Sequence, residues 1–146
     1  MTTIAWDGKT LASDSRMTCP YIFDGYTGKI RKITVGDEAV LIGVAGGAAN
    51  AGLLFEWVES GMSADAFPQV SNIEAILVTG KGAFFVEDKS YLIPLESGSK
   101  HAVGSGCEYA MSAMMAGKNA SKAVEIAIQL DTNSGGQVIS MRLPAR

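Results

Sequence analysis

Among the residues that could do chemistry, Thr2 combines the most in the least space. A threonine exposed as an N-terminal residue carries a hydroxyl and an α-amine on one unit, and the amine, with an ordinary pKa of roughly 7.7 to 8.0, can take the hydroxyl's proton near neutral pH. Removal of Met1 would create that pairing, and the small side chain behind Met1 permits it. Taken alone, Thr2 reads equally well as a strand threonine. Cys107 is a second nucleophile, placed in the first turn after Ser105-Gly106-Cys107-Glu108, where a helix N-terminus can depress a thiol. His101 could act as its base, but nothing supplies an orienting third residue, so a core cysteine is the plainer reading. The other polar candidates also have structural readings. Asp14 and Lys32 can form an ion pair between adjacent strands, Ser105 can cap a helix, and Asp131 can end one. Ser134-Gly135-Gly136 can be a turn, and Gly46-Gly47 a strand-to-helix junction.

These residues need a scaffold, and the sequence supplies one in short pieces. Asp7-Gly8 between Thr3 to Trp6 and Thr10 to Asp14 predicts a hairpin, and Gly36-Asp37 between Lys29 to Val35 and Glu38 to Val44 predicts another. Cys19 to Gly28 suggests an irregular or hairpin segment with an aromatic wall of Tyr21, Ile22, Phe23 and Tyr26. After Gly46-Gly47 the period changes. Leu53, Leu54, Trp57 and Val58 share one helical face and Gly61 can end the helix. Ile73 to Thr79, Ala83 to Glu87 and Tyr91 to Leu95 read as a meander of strands. The S-x-x-E box at Ser105 opens a helix to Ala116, in which Met111, Met114 and Met115 read as packing. Asn119 or Ser121 opens a second helix to Leu130, and Gln137 to Leu143 is a last strand. With no linker or repeat, this order favours sheets covered by helices in one domain over 1-146.

Composition narrows the function classes. The 146 residues are 47% hydrophobic and 18% charged, with a net charge of -3 and no basic cluster beyond Lys29, Arg31 and Lys32, which argues against a nucleic-acid partner. Two Cys and one His cannot build a zinc finger or a multi-His metal site. No apolar run reaches the ~20 residues of a membrane span, and the first residues lack a signal peptide's basic region, so a soluble, cytoplasmic protein without membrane partners is expected.

Six elements in order carry a resemblance. They are Thr2-Thr3-Ile4, Ala12-Ser13-Asp14-Ser15-Arg16, Gly28-Lys29-Ile30-Arg31-Lys32-Ile33, Gly43-Val44-Ala45-Gly46-Gly47-Ala48-Ala49, Val103-Gly104-Ser105-Gly106 and Asp131-Thr132-Asn133-Ser134-Gly135-Gly136. Together they resemble the proteasome β-subunit and HslV family of N-terminal-nucleophile threonine hydrolases. The resemblance implies an α+β fold, a four-layer α/β/β/α sandwich. Met62 to Asn72 is too short for the family's second long helix, so a shortened variant with one helical layer reduced is expected.

The resemblance also implies a threonine endopeptidase that needs no cofactor. Thr2 matches the nucleophile, Asp14 the acid of the A-x-D element, and Lys32 the lysine, with Lys29 its rival. Arg31-Lys32-Ile33 is similar to the R-K-V of HslV, which favours Lys32. Gly46 matches the oxyanion N–H donor, and Val44 the floor of an apolar specificity pocket. Thr18 matches a residue whose backbone pairs with extended substrate, and Ser105, Asp131 and Ser134 match polar support near the nucleophile. Implied partners are a peptide or unfolded-protein substrate and copies of the chain in a homo-oligomeric ring, with an unfolding ATPase as a further candidate. Two other readings stand beside this one: an amidase of the same nucleophile class acting on a small molecule, and an inactive shell or binding subunit of the same fold.

Overall fold

Alternation along the strands sorts side chains into three apolar layers. The computed structural model describes residues 2–19 and 22–144. Its strands are β1 (Thr3–Trp6), β2 (Leu11–Ser13), β3 (Arg16–Cys19), β4 (Ile22–Tyr26), β5 (Ile30–Val35) and β6 (Glu38–Ala45), followed by helix α1 (Ala48–Glu59). Next come β7 (Glu74–Thr79), β8 (Gly82–Val86), β9 (Ile93–Pro94) and β10 (His101–Gly104). Helices α2 (Cys107–Met115) and α3 (Ala120–Leu130) precede β11 (Ile139–Met141).

The two large sheets have the orders β10-β1-β2-β11 and β5-β6-β7-β8-β9, and β3-β4 forms a separate two-stranded sheet, all neighbours antiparallel. Val40, Ile42 and Val44 of β6, with Ala75 and Leu77 of β7, pack on Leu54, Phe55, Trp57 and Val58 of α1. The alternate residues Leu41, Ala45, Ile76 and Val78 turn inward to meet Ile4, Trp6 and Leu11 of the facing sheet. Ala5, Ala12 and Ala102 point the other way, onto Ala110, Met114, Ala123, Val124 and Ala127 of α2 and α3. Those small side chains let the helices sit close to the sheet. The result is the expected four-layer α/β/β/α sandwich, in which α1 is the one α-helix among the described residues on the larger sheet, with Met62, Phe67 and Val70 packed beside it.

Local chemistry sets the joints. Asp7 closes the first hairpin by accepting the Lys9 and Thr10 N–H groups, and its other oxygen accepts the Ala120 N–H at 2.8 Å, tying the turn to the start of α3. Asn119 caps that helix by accepting the Lys122 N–H at 2.9 Å, which selects Asn119 over Ser121. Helix α1 ends in a Schellman arrangement, with Gly61 N–H donating to the Val58 carbonyl and Met62 N–H to that of Trp57. Between Met62 and Asn72 there is only a single 3-10 turn, Ala64–Ala66, held near α1 by Trp57 Nε1 donating to the Ser63 carbonyl and by an edge-on Trp57–Phe67 contact.

Several expectations are corrected. Leu53 is exposed and Phe55 takes its place on the buried face of α1. Strand β10 had no counterpart in the sequence reading. The α2 N-cap is Gly106, with no side-chain cap, so Ser105 does not cap it. The antiparallel β3–β4 pair begins at Arg16, ahead of the expected Cys19 to Gly28 segment, and its register shifts at Met17/Thr18. Tyr21 and the side chains of Ile22 and Phe23 from the expected aromatic wall lie outside the described residues, and Tyr26 is exposed.

Candidate active site

Strand β1 carries the N-terminal residues into the seam between the sheets and the α2–α3 layer. Thr2 and Thr3 are both buried there. The paired strand β10 leads into Gly104-Ser105-Gly106, and the two glycines leave room that β1 fills. A Cβ at Gly104, which has φ 95°, would collide with the Thr2 carbonyl, and one at Gly106 with the Thr3 hydroxyl. The Thr2 carbonyl instead receives the Gly106 N–H at 3.4 Å.

Asp14 sits at the end of β2, fully buried, and joins three segments. It accepts the Thr3 N–H at 3.0 Å, both oxygens receive Lys29 Nζ at 2.9 and 3.0 Å, and Oδ2 accepts the Gly135 N–H at 3.0 Å. Lys29 is itself buried, and burial pushes its pKa below the ordinary lysine value, against the pull of the neighbouring Asp14 carboxylate.

The lysine that pairs with Asp14 is therefore Lys29 and not the expected Lys32. The two-residue turn at Gly36-Asp37 pairs Val35 with Glu38 and, further along both strands, Lys32 with Leu41. Lys32 thus lies exposed, toward the turn. Lys29, whose carbonyl accepts the Val44 N–H at 3.0 Å, is level with the glycine end of β6. Three residues of strand separate the two lysines, roughly 10 Å. Counting register across the Gly36-Asp37 turn was the signal that would have chosen Lys29.

Asp131 gathers a second set. Its Oδ2 accepts Ser105 Oγ and Ser134 Oγ, each at 2.6 Å, and its Oδ1 accepts the Asn133 N–H at 3.1 Å. Because the single Ser134 hydroxyl proton is given to Asp131, the 2.7 Å contact between Thr3 Oγ1 and Ser134 Oγ has Thr3 as donor. Ser105 likewise commits its proton to Asp131, which leaves its 3.3 Å approach to the Thr2 carbonyl as a weak second arm. Burial works to raise the Asp131 pKa, but the hydrogen bonds from Ser105, Ser134 and the Asn133 amide outweigh it and hold the carboxyl below its ordinary value. The part played by Thr3 was missed in the sequence. A buried strand threonine gives no periodic signal that its hydroxyl has a distant partner.

Two cavities meet at Thr2. One, of about 170 Å³, is bordered by Thr2, Lys29, Val44 and Gly46, with Ala51 and Phe55 of α1 on its apolar side. Arg31 stands at its edge, stacked 4.2 Å from the centre of the Phe55 ring. The second, of about 550 Å³, is bordered by Thr2, Ser105, Asn72 and Glu74. Thr18 and Gly46 border both. Gly46 has φ 140°, and a Cβ there would press on the Asn72 carbonyl oxygen at 2.9 Å. That loop is fixed in turn by Asp88, which accepts the Asn72 and Ile73 N–H groups at 3.0 and 2.9 Å.

Of the sequence candidates, then, Thr2, Asp14, Gly46, Ser105, Asp131, Ser134, Thr18 and Val44 come together, and Lys32 does not. His101 and Cys107 stand apart from the ion pair. Burial, with Glu74 and Glu108 nearby, pushes the Cys107 thiol up, the opposite of activation. Among the described residues no group of three or more His, Cys, Asp or Glu is placed to hold a metal, and no helix is long and apolar enough to cross a membrane.

The chain shares its fold with solved structures of HslV and BPH. Solved structures with this fold include HslV from Trypanosoma brucei, with a TM-score of 0.70, 22% identity, and 96% of this chain and 97% of that chain covered. BPH from Thiobacillus denitrificans in complex with epoxomicin has a TM-score of 0.71, 20% identity and 99% coverage of both chains. A second structure of Thiobacillus denitrificans BPH gives 0.70 at 19% identity, again over 99% of both chains. At these identities the likeness is one of fold. No family model matches the chain, and neither does any curated relative.

Proposed function

We propose that this chain is a threonine endopeptidase of the proteasome and HslV type, a shortened variant in the helical layer around residues 62–72, with Thr2 as its nucleophile. The observation that carries the reading is that Thr2, Lys29 and Gly46 border one cavity while Asp14 holds Lys29 from behind.

In the proposed cycle, exposure of Thr2 as the N-terminal residue frees its α-amine. That amine takes the Thr2 hydroxyl proton as Oγ bonds to the substrate carbonyl carbon. The Lys29 ammonium favours the developing alkoxide and disfavours protonation of the α-amine beside it. The Gly46 N–H stabilises the carbonyl oxygen as it takes negative charge, a contribution of about 3 kcal/mol for one such donor. Collapse breaks the C–N bond and the proton passes to the departing amine, leaving an ester on Thr2. Water, deprotonated by the same α-amine, hydrolyses that ester and restores the hydroxyl. Asp131, Ser105 and Ser134 position the N-terminal residues, Val44 lies under the side chain of the acylating residue, and Thr18 offers backbone to an extended substrate.

A peptide substrate fits better than a small amide because Thr18 and Gly46 border both cavities, so that the cleft continues on either side of Thr2. We further propose a cytoplasmic homo-oligomeric ring, supported by the low charged fraction of 18% and by exposed Tyr26, Tyr91, Met115 and Leu130. An unfolding ATPase would be its natural supplier of extended chains.

The deciding experiment joins intact-mass measurement of the purified protein to hydrolysis of an N-acyl tripeptide aminocoumarin amide. Activity is expected only in protein whose first residue is Thr2, and Thr2→Ala is expected to be folded and inactive. Full activity in protein that retains a residue before Thr2, or in Thr2→Ala, would reject the mechanism.

A further inference from the structure

The two cavities that meet at Thr2 differ in the charged residues on their walls. Arg16, Lys29 and Arg31 border the smaller cavity, where Lys29 is paired with Asp14 at 2.9 Å and Arg31 lies 3.9 Å from Glu59. Among the described residues, Glu74 is the sole charged residue bordering the larger one. It is the first residue of β7, opposite Ala45, its side chain is exposed, and it forms no salt bridge among the described residues. The groups facing it do not neutralise it. Burial pushes the His101 pKa down despite the Glu74 charge, so that imidazole is neutral near pH 7, and the Cys107 thiol is pushed up and stays protonated. A carboxylate without a cation, on the wall of a cleft next to a nucleophile, is a place for a cation from outside.

We infer that Glu74 is a specificity-determining residue on the leaving-group side of the cleft, where it favours peptides whose first residue after the scissile bond is lysine or arginine. The inference rests on the assignment of Thr2 as nucleophile and of the Val44 cavity as the acyl side. If the acyl portion occupies that cavity, the departing amine and the residue bearing it enter the cavity lined by Glu74, Asn72 and Ser105. A lysine or arginine there meets an unpaired carboxylate, whereas an acidic residue meets repulsion, and both effects widen the same ratio. No bond changes with the assignment: Glu74 acts on binding and orientation, so its effect belongs mainly in KM. Because the carboxylate is open to solvent, the discrimination is of the size of a surface pair and is screened by salt.

The test uses internally quenched peptides identical on the acyl side, with Lys, Gln or Glu directly after the scissile bond, alongside an aminocoumarin amide that has no residue on that side. Wild-type protein beginning at Thr2 is expected to cleave the Lys peptide with kcat/KM roughly fivefold above the Glu peptide at low salt, and with a smaller ratio in added salt. In Glu74→Gln the ratio is expected to fall toward one, and in Glu74→Lys to invert. A wild-type ratio near one, or an unchanged ratio in Glu74→Gln, with the aminocoumarin amide hydrolysed, overturns the role of Glu74 and leaves the nucleophile assignment standing. Failure to hydrolyse the aminocoumarin amide and every peptide overturns the nucleophile assignment itself, and the role of Glu74 with it.

Discussion

Asp14 and Asp131 are both buried carboxylates tied to the N-terminal strand, yet their partners differ in kind. Asp14 accepts a full cation, Lys29, on both oxygens, with two backbone N–H groups completing its shell. Asp131 accepts two hydroxyls and one backbone N–H and has no basic side chain in hydrogen-bond contact among the described residues. The first is an ion pair whose lysine borders the same cavity as Thr2, and the second is a hub of hydroxyls that ties Thr3 to the loop after α3. The loop that carries Asp131 is also stitched to the Asp14 segment, since the Gly135 carbonyl receives the Ser15 and Arg16 N–H groups at 3.0 and 2.9 Å. The two centres therefore share a frame while differing in chemistry, and mutations should separate field from position.

The largest effect is expected from breaking the ion pair on one side. Lys29→Ala leaves Asp14 buried without its cation, which costs about 3 to 5 kcal/mol of stability and abolishes turnover. Lys32→Ala, on an exposed strand face, is expected to stay within about 0.5 kcal/mol of wild type and to keep its activity. Replacing both partners, Asp14→Asn with Lys29→Met, is expected to recover much of the stability but none of the activity, because the charge is gone while the space is filled. Urea unfolding and peptide hydrolysis on the same preparations read the two quantities separately. Equal activity in Lys29→Ala and wild type would return the role to Lys32.

The Lys29 outcome also marks how far the sequence could be read. The layers were legible because apolar patterning is a repeated signal: β6 is a nearly continuous apolar run over Val40, Leu41, Ile42 and Val44, as a central strand requires, and α3 shows the helical stripe over Ala120, Ala123, Val124 and Ala127. The candidate site was legible as a set of short elements but not in its pairings. Choosing between Lys29 and Lys32 requires strand register, which the two-residue turn at Gly36-Asp37 supplies only once both strands are counted from it. Ser105 misled in the opposite direction. Its S-x-x-E spacing matches a helix cap, but Asp131 is a charged acceptor 2.6 Å away and takes the hydroxyl proton. Long-range polar contacts of this kind, at a separation of 26 residues, leave no local pattern.

A middle-sized effect is expected at the hub. Asp131→Asn keeps one acceptor oxygen but loses the charge that attracts two hydroxyls, a cost of about 1 to 3 kcal/mol at neutral pH. Its pH dependence follows from the lowered pKa. The folded carboxyl releases its proton more readily than the unfolded one, so its contribution is complete above the ordinary carboxylate range and is lost as pH falls through the lowered folded value. The difference between wild type and Asp131→Asn in urea midpoint should therefore shrink toward acid. Lys29 gives the opposite window: its pKa is lowered by burial, so between that value and the ordinary lysine value the unfolded chain holds the extra proton, and stability rises with pH there. Lys29→Met should remove that alkaline rise, whereas Asp131→Asn should leave it in place. A pH profile unchanged by either substitution would mean that neither group is held as described.

The smallest effect, and the sharpest test of position against capping, is Ser105→Ala. Its hydroxyl donates to Asp131 and only weakly toward the Thr2 carbonyl, while α2 begins at Cys107 with no side-chain cap. Losing one hydrogen bond to a charged acceptor that keeps its other donors is expected to cost about 1 kcal/mol. Helix capping would cost a similar amount, so stability alone does not discriminate. Hydrogen exchange does. A lost cap would speed exchange at the first-turn amides of α2, from Cys107 to Ala110, whereas a lost positioning contact leaves those amides unchanged and speeds exchange at Asn133 and Ser134, whose loop the hub holds. Turnover should fall by less than in Asp131→Asn, because Ser134 still links Asp131 to Thr3. Faster exchange confined to the start of α2 would restore Ser105 to the capping role that its spacing suggests and would leave Asp131 and Ser134 as the whole of the positioning hub.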